Sequence, residues 1–306
     1  MGKTAFVFPG QGSQKVGMGR SLVEESETAR ELFARADTIL GFELSRLCFE
    51  GPESELVRTE ITQPAIFTVS VAAGRMLEER GCTAEVVAGH SLGEYSALVH
   101  AGVMSFEDGL RVVRRRGELM AEVGDRVSGG MAAILSLPAE TVAEVCAAAA
   151  EAGVVEVANF NSPNQTVISG ELPAVERAMA LAKERGARRA VALNVSAPFH
   201  SSLMAPLAAE MEEVLARVEM REPRMPVVAN VTARYVRTPD EIREALVRQL
   251  AGSVRWTETV RLLDADGVET LVEAGPGRVL CGLGPRIVPG LAVVDTAEAL
   301  QRAGGA

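Results

Sequence analysis

The sequence predicts an α/β protein: a parallel sheet with helices on both faces, interrupted by a smaller unit of βαββαβ order. Three observations lead there. Short apolar, β-branched runs alternate with segments of helical period, and strands separated by helices pair in parallel. Glycine-rich or sharp turns follow two of those runs, at 9–14 and 89–93, where strand ends deliver side chains to a common edge. Between residues 128 and 195 the rhythm changes to strand, helix, strand, strand, helix, strand, which is the ferredoxin-like order. Residues 1–127 and 196–306 are therefore expected to build the core, and residues 128–195 an inserted subdomain.

The elements follow in order. Residues 4–8 read as the first strand. Leu32, Phe33, Ala36, Ile39 and Leu40 share one face of a helix that Gly41 stops. A second helix is expected to begin near Pro64, capped by Thr62 or Gln63, and to run past Met76 to a stop at Gly81. Residues 84–88 read as a strand, and 94–103 as a helix carrying Ala97, Leu98 and Ala101 on one face. Within the insert, 131–135, 154–158, 166–169 and 189–195 read as strands; Pro138 and Pro173 open its two helices, and Gly186 ends the second. Beyond it come a helix at 201–218, a strand at 227–229, a helix at 239–250 and a buried strand at 270–273. No repeat or low-complexity tract is evident.

Composition narrows the function. A chain of 306 residues, 47% of them apolar, can bury a large core. No apolar run reaches membrane-spanning length; even 142–158 carries Glu144, Glu151 and Glu156. Only residues 5–8 are continuously apolar near the start, which is no signal peptide, and Phe6 stands where a myristoylation motif needs Ser or Thr. Cys48, Cys82, Cys146 and Cys281 lack CxxC spacing, so neither zinc nor a disulfide framework is expected, and reduced cytoplasmic thiols are. The net charge of −10 disfavours nucleic acid and makes any acidic partner depend on a local basic patch.

Gly89-His90-Ser91-Leu92-Gly93 between a strand and a helix reads as a nucleophile elbow. Such pentapeptides also occur in ordinary turns, and the flanking strand and helix are what favour a catalytic Ser91. Gly89 and Gly93 would let strand and helix approach, and the N–H of Leu92 would hold an oxyanion. Of three histidines, His90 adjoins Ser91 around a sharp turn and is expected to pack or bond to backbone. His100 reads as a surface or satisfied histidine. His200 follows a strand and precedes a helix, and is the expected general base. Asp108 and Asp125 are the only aspartates between Ser91 and His200, and neither follows a strand. A dyad is expected, its imidazole oriented by a neutral acceptor such as a backbone carbonyl. The turn Phe8-Pro9-Gly10-Gln11-Gly12-Ser13-Gln14 lacks phosphate-loop spacing, and the N–H of Gln11 could complete a two-donor oxyanion hole. Arg111, Arg114 and Arg115 are expected to be solvated, while one guanidinium turned inward could grip a free carboxylate with both arms of its fork.

Together, FPGQGSQ near the start, TQPA at 62–65, GHSLGEYSA at 89–97, RRG at 115–117, NSPNQTVISG at 161–170 and APFH ending at His200 resemble the malonyl-CoA:acyl-carrier-protein transacylases and their relatives in polyketide and fatty-acid synthases. The resemblance implies an α/β-hydrolase-like core with a ferredoxin-like insert. It places the nucleophile on Ser91, the base on His200, the oxyanion donors on Gln11 and Leu92, and the carboxylate-binding arginine on Arg116. It also implies a histidine-orienting carbonyl on Gln249 and a supporting role in the pocket for Gln63. Phe199 resembles the pattern of malonyl-selective synthase domains, where many free-standing bacterial members carry Ser, and implies malonyl over methylmalonyl. The implied activity is ping-pong transfer of malonyl from coenzyme A to the phosphopantetheine thiol of acyl carrier protein, supplying extender units for fatty-acid biosynthesis. A trans-acting polyketide-synthase acyltransferase and a serine thioesterase are the alternatives, and a non-catalytic carrier-binding scaffold a remoter one. No metal and no cofactor beyond the substrate thioester and the carrier's own phosphopantetheine are implied. The expected partners are malonyl-CoA and, transiently, an acidic carrier protein docking near Lys183, Arg185, Arg188 and Arg189, with the enzyme a cytoplasmic monomer.

Overall fold

The architecture was obtained as a computed structural model, which describes residues 2–195 and 197–304. In chain order its strands are β1 (Lys3–Phe8), β2 (Val86–Gly89), β3 (Gly129–Leu135), β4 (Val155–Ser162), β5 (Gln165–Glu171), β6 (Arg189–Ala192), β7 (Val227–Ala229), β8 (Arg234–Val236), β9 (Val268–Glu273) and β10 (Ala292–Asp295). The larger sheet runs β10, β9, β1, β2, β7, β8. Its first five strands are parallel and β8 returns antiparallel on β7. Successive side chains of a strand point to opposite faces. In β1, Phe6 and Phe8 accordingly join one apolar cluster, and Ala5 and Val7 another. Helices cover both faces, which is why β1 and β2 are apolar without alternation.

The second sheet runs β4, β5, β3, β6, antiparallel throughout. Residues 128–195 thus show the strand and helix order the sequence predicts. Ala132 and Ile134 of β3 pack on the helices Ala139–Ala149 and Leu172–Glu184, while Met131 and Ala133 face the larger core. β4 is tied to that core through Asn159, which bridges Val254, and through Thr257 Oγ1, which donates to Phe160 O at 2.9 Å. Ser196, where the chain was expected to re-enter the core, lies outside the described residues.

Three expectations need correction. The helix expected to start near Pro64 spans Thr59–Glu79, with Arg58 at its N-cap, so Thr62 and Gln63 are interior and not caps. Proline in a helix leaves the carbonyl four residues earlier without its donor. Here that carbonyl, Glu60 O, accepts from Arg114 Nη1 at 2.7 Å. The single helix expected at 201–218 is a 3₁₀ turn, Ser202–Leu207, followed by the α-helix Ala208–Ala216, because Pro206 interrupts the ladder. The strand expected at 189–195 spans Arg189–Ala192, with one further ladder bond from Leu193 N to Met131 O at 2.9 Å.

Candidate active site

β1 and β2 lie side by side near the middle of the sheet, with Phe8 paired to Gly89, so the turns that follow them share its carboxyl edge. A Cβ on Gly89 would sit 1.9 Å from the carbonyl carbon of Gly93, and one on Gly93 would sit 1.9 Å from Phe8 O. Strand and helix are in backbone contact here, and only glycine allows it. Between them Ser91 is held at φ 51°, the left-handed region that an L-residue enters at a cost. The result is a hydroxyl that projects off the turn into a cavity.

Ser91 Oγ and His200 Nε2 are 2.7 Å apart. His200 Nδ1 lies 2.9 Å from Gln249 O and 3.1 Å from Gly252 O. Carbonyls only accept, so Nδ1 carries the proton and Nε2 is left to receive that of Ser91. Burial, reinforced by the Arg116 charge, lowers the His200 pKa to about 3, which keeps the ring neutral at pH 7. The oriented imidazole thus leans on backbone carbonyls, not on an acid. Asp108 is occupied at the start of the helix Phe106–Arg126, where it meets Ser105 and Arg111, and Asp125 is exposed near its far end.

Arg116 is 1% exposed. Nη1 donates to Gln63 Oε1 at 2.7 Å, and Nη2 to Gln249 Oε1 at 2.9 Å and to Ser91 Oγ at 3.2 Å. The guanidinium also lies over the Tyr95 ring, 5.4 Å from its centroid. Arg111 and Arg115 point outward onto Asp108, Glu118, Glu122 and Glu210, whereas Arg114, expected to be solvated, is half-buried between Glu118, the Phe42 ring and Glu60 O. Of four neighbouring arginines, one faces Ser91.

His90 packs edge-on against Trp256, and its Nε2 meets Asn161 Oδ1 at 2.8 Å, a side chain where backbone was the expected partner. His100 is buried and not on the surface. The helix Gly93–His100 is buried along its whole length, which sets the ring against Phe6 and Phe8 with Nε2 3.5 Å from Glu78 Oε1.

Ser91, His200 and Arg116 share a cavity of about 410 Å³ with Gln11, Leu92, Gln63 and Phe199. Its far wall is the inner face of the small sheet, including Met131 and Val167. A larger cleft of about 720 Å³, lined by Lys15, Arg80 and Arg278, contains none of these groups, so volume alone does not locate the chemistry. The peptide N–H of Ser91 is taken by Asn230 Oδ1 at 2.7 Å, which leaves the N–H of Leu92 as the next donor along the turn.

Two residues at the site escaped the sequence reading. Asn230 directly follows β7, the strand beside β2, and its Nδ2 donates to Gly89 O at 2.6 Å. Glu94, three residues after Ser91, is 2% exposed and accepts from Gln249 Nε2 at 2.6 Å and from Asn230 N at 3.1 Å. The rule that the carboxyl ends of parallel strands carry the site would have found Asn230, which directly follows β7.

Known proteins resemble the chain over nearly its whole length. A family model described as acyl transferase domain matches residues 5–284. The malonyl CoA-acyl carrier protein transacylase of Escherichia coli (strain K12) is 48% identical over 302 residues, spanning 98% of this chain and 96% of that protein. The crystal structure of an acyl carrier protein S-malonyltransferase from Vibrio cholerae superposes with a TM-score of 0.92 at 47% identity, covering 96% of each chain. A malonyl-transacylase solved in complex with a type II PKS acyl-carrier protein superposes with a TM-score of 0.94 at 44% identity, over 98% of this chain and 99% of that one.

Proposed function

The chain belongs to the acyl transferase domain family, and from that premise we propose that it moves a malonyl group from coenzyme A to the phosphopantetheine thiol of an acyl carrier protein. Its role is to supply extender units for fatty-acid biosynthesis. The observation that carries the reading is the buried Arg116 guanidinium 3.2 Å from Ser91 Oγ, since an esterase or thioesterase needs the serine and histidine but no cation at that spot.

In the first half-reaction His200 Nε2 takes the Ser91 proton as Oγ attacks the thioester carbonyl. The N–H groups of Leu92 and Gln11 receive the charge on the carbonyl oxygen. The tetrahedral adduct collapses, the carbon–sulfur bond breaks, and the proton on Nε2 leaves with the coenzyme A thiol. In the second, the carrier's thiol gives its proton to Nε2 and attacks the malonyl ester. Ser91 Oγ departs and recovers the proton, so the enzyme returns unchanged.

Arg116 pairs with the free carboxylate of the malonyl group. Its present partners near the substrate, Gln63 and Gln249, are neutral amides that aim the fork without cancelling its charge. A carboxylate so held fixes the ester in one pose, which favours a thiol arriving along the cavity over water from elsewhere. Phe199, in the cavity wall beside His200, leaves little room for an α-methyl branch and gives malonyl an advantage of about 1–3 kcal/mol over methylmalonyl.

We read the two modules as an α/β-hydrolase-like core, residues 1–127 and 196–306, and a ferredoxin-like insert, residues 128–195, a division supported by the two separate sheets. The reading needs no metal or cofactor and one copy of the chain, in the cytoplasm. Among the described residues no helix is long and apolar enough to cross a membrane.

The test is intact mass after mixing with malonyl-CoA. The native protein should gain one malonyl group, lose it to added holo carrier protein, and prefer malonyl-CoA in competition with methylmalonyl-CoA; Ser91→Ala should gain none. An adduct that persists on Ser91→Ala, or a native protein that hydrolyses malonyl-CoA without stimulation by carrier, overturns it.

A further inference from the structure

Glu94 is a carboxylate in the first turn of the helix after the elbow, buried from solvent, and the transfer steps do not use it. We infer that Glu94 is a positioning residue, which sets the orientation of the Gln249 amide and thereby the aim of Arg116 at the acyl carboxylate. This rests on the malonyl-transfer reading of the site.

The argument is one of donors and acceptors. The Gln249 amide has one donating end and one accepting end. Its Nε2 donates to Glu94 Oε2 at 2.6 Å and to Ser91 O at 3.0 Å, so Oε1 is the end that meets Arg116 Nη2 at 2.9 Å. Rotated by half a turn, the amide would set its oxygen against two acceptors and its NH₂ against a guanidinium that can only donate. A carboxylate cannot accommodate that flip, whereas a hydroxyl could reverse its role.

The same Oε2 accepts the Asn230 N–H, and Asn230 in turn spans the elbow, from Gly89 O to Ser91 N–H. One carboxylate therefore braces the guanidinium's acceptor and the backbone that carries the nucleophile. Burial pushes the Glu94 carboxyl up to about 7, against the opposing pull of Gln249, Asn230 and Arg116. Both donors meet the same oxygen, Oε2, so a proton taken up on Oε1 leaves that acceptor, and the orientation of the amide, in place.

The inference separates positioning from folding by the substrate it affects. In Glu94→Ala, KM for malonyl-CoA should rise at least about tenfold, and the malonyl-to-acetyl ratio of kcat/KM should fall by a similar factor. Glu94→Gln, which keeps an oxygen for both donors, should stay within about threefold of the native protein. If Gln249 relays the effect, adding Glu94→Ala to Gln249→Leu should change the ratio no further. Glu94→Met carries the same expectation as alanine if the alanine variant does not fold. A native KM and ratio in Glu94→Ala or Glu94→Met, whatever happens to kcat or the melting temperature, overturns the inference, as does a Glu94→Gln variant as impaired as alanine. Failure of the native protein to take malonyl would instead defeat the reading it rests on.

Discussion

Three arginines precede Gly117 in a row, Arg114, Arg115 and Arg116, and only Arg116 turns inward, for a reason written in helical phase. Val112, Val113, Leu119, Met120 and Val123 stand four and three residues before it and three, four and seven after, and all are buried with it. The residues alone left open which arginine turns inward, and the resemblance chose Arg116; its target was hidden because Gln63, Gln249 and Ser91 arrive from distant segments. The same limit hid Glu94, whose partners lie 136 and 155 residues away. Ser91 was legible because its strain demands glycine two residues to either side. His200 was expected from a strand end, which the structure does not uphold, since β6 stops at Ala192 in the small sheet, well short of the imidazole that meets Ser91. Removing the guanidinium isolates its contribution. Arg116→Ala should lose about 1.5–3 kcal/mol of transition-state binding for malonyl-CoA, the worth of a hydrogen bond to a charged group. Acetyl-CoA, with no carboxylate, should lose less, so relative acetyl transfer rises. Steady-state kcat/KM for both thioesters checks this; an unchanged preference would remove Arg116 from substrate recognition.

At the scale of elements, the elbow works because strand, turn and helix touch through backbone. Gly93 is the severest point, since an added Cβ meets Phe8 O and Pro9 O, neither of which is a side chain that can swing away. Gly93→Ala should therefore cost at least about 3 kcal/mol, at the upper end for overpacking, and abolish malonyl loading. Gly282 is the control: it lies in the helix Val279–Ile287 with nothing within 4 Å of an added Cβ. Gly282→Ala should be neutral or stabilise by about 0.5–1 kcal/mol. Urea midpoints for the pair decide it, and a Gly93→Ala protein as stable as the native one would show the elbow to be looser than its geometry. Element types were well read where period and punctuation agreed, as in the helix Glu27–Leu40 that Gly41 ends in the left-handed region. They were misread where tertiary structure supplied a missing partner. Pro64 looks like a helix start until Arg114 is seen to satisfy the carbonyl it orphans. β8 and β10, three and four residues long, carry too short a pattern to stand out before the sheet assembles.

The whole molecule presents an electrostatic problem that no single element solves. If the carrier of the proposed reaction is acidic, the net charge of −10 sets a long-range field against association, and a local surface has to reverse it. The sequence points to Lys183, Arg185, Arg188 and Arg189, and folding redistributes them. Arg185 is engaged by Glu144 at 3.2 Å. Arg188 and Arg189 line a cleft of about 450 Å³ together with Arg286, which comes from the core and not from the insert. Chain order could not show that third cation, because 97 residues separate it from Arg189 and only the packing of two modules unites them. Reversing Arg188 and Arg189 to Glu should weaken carrier docking by about 0.5–1 kcal/mol per charge, as for exposed pairs, and Arg286→Glu should deepen the loss. Loading from malonyl-CoA, read by intact mass, should be spared. Added salt should narrow the native enzyme's lead over the reversed variants, since it screens both the local attraction the native surface keeps and the extra repulsion the variants carry. Equal losses in both half-reactions, or a salt response identical in native and variant proteins, would place docking elsewhere on the surface.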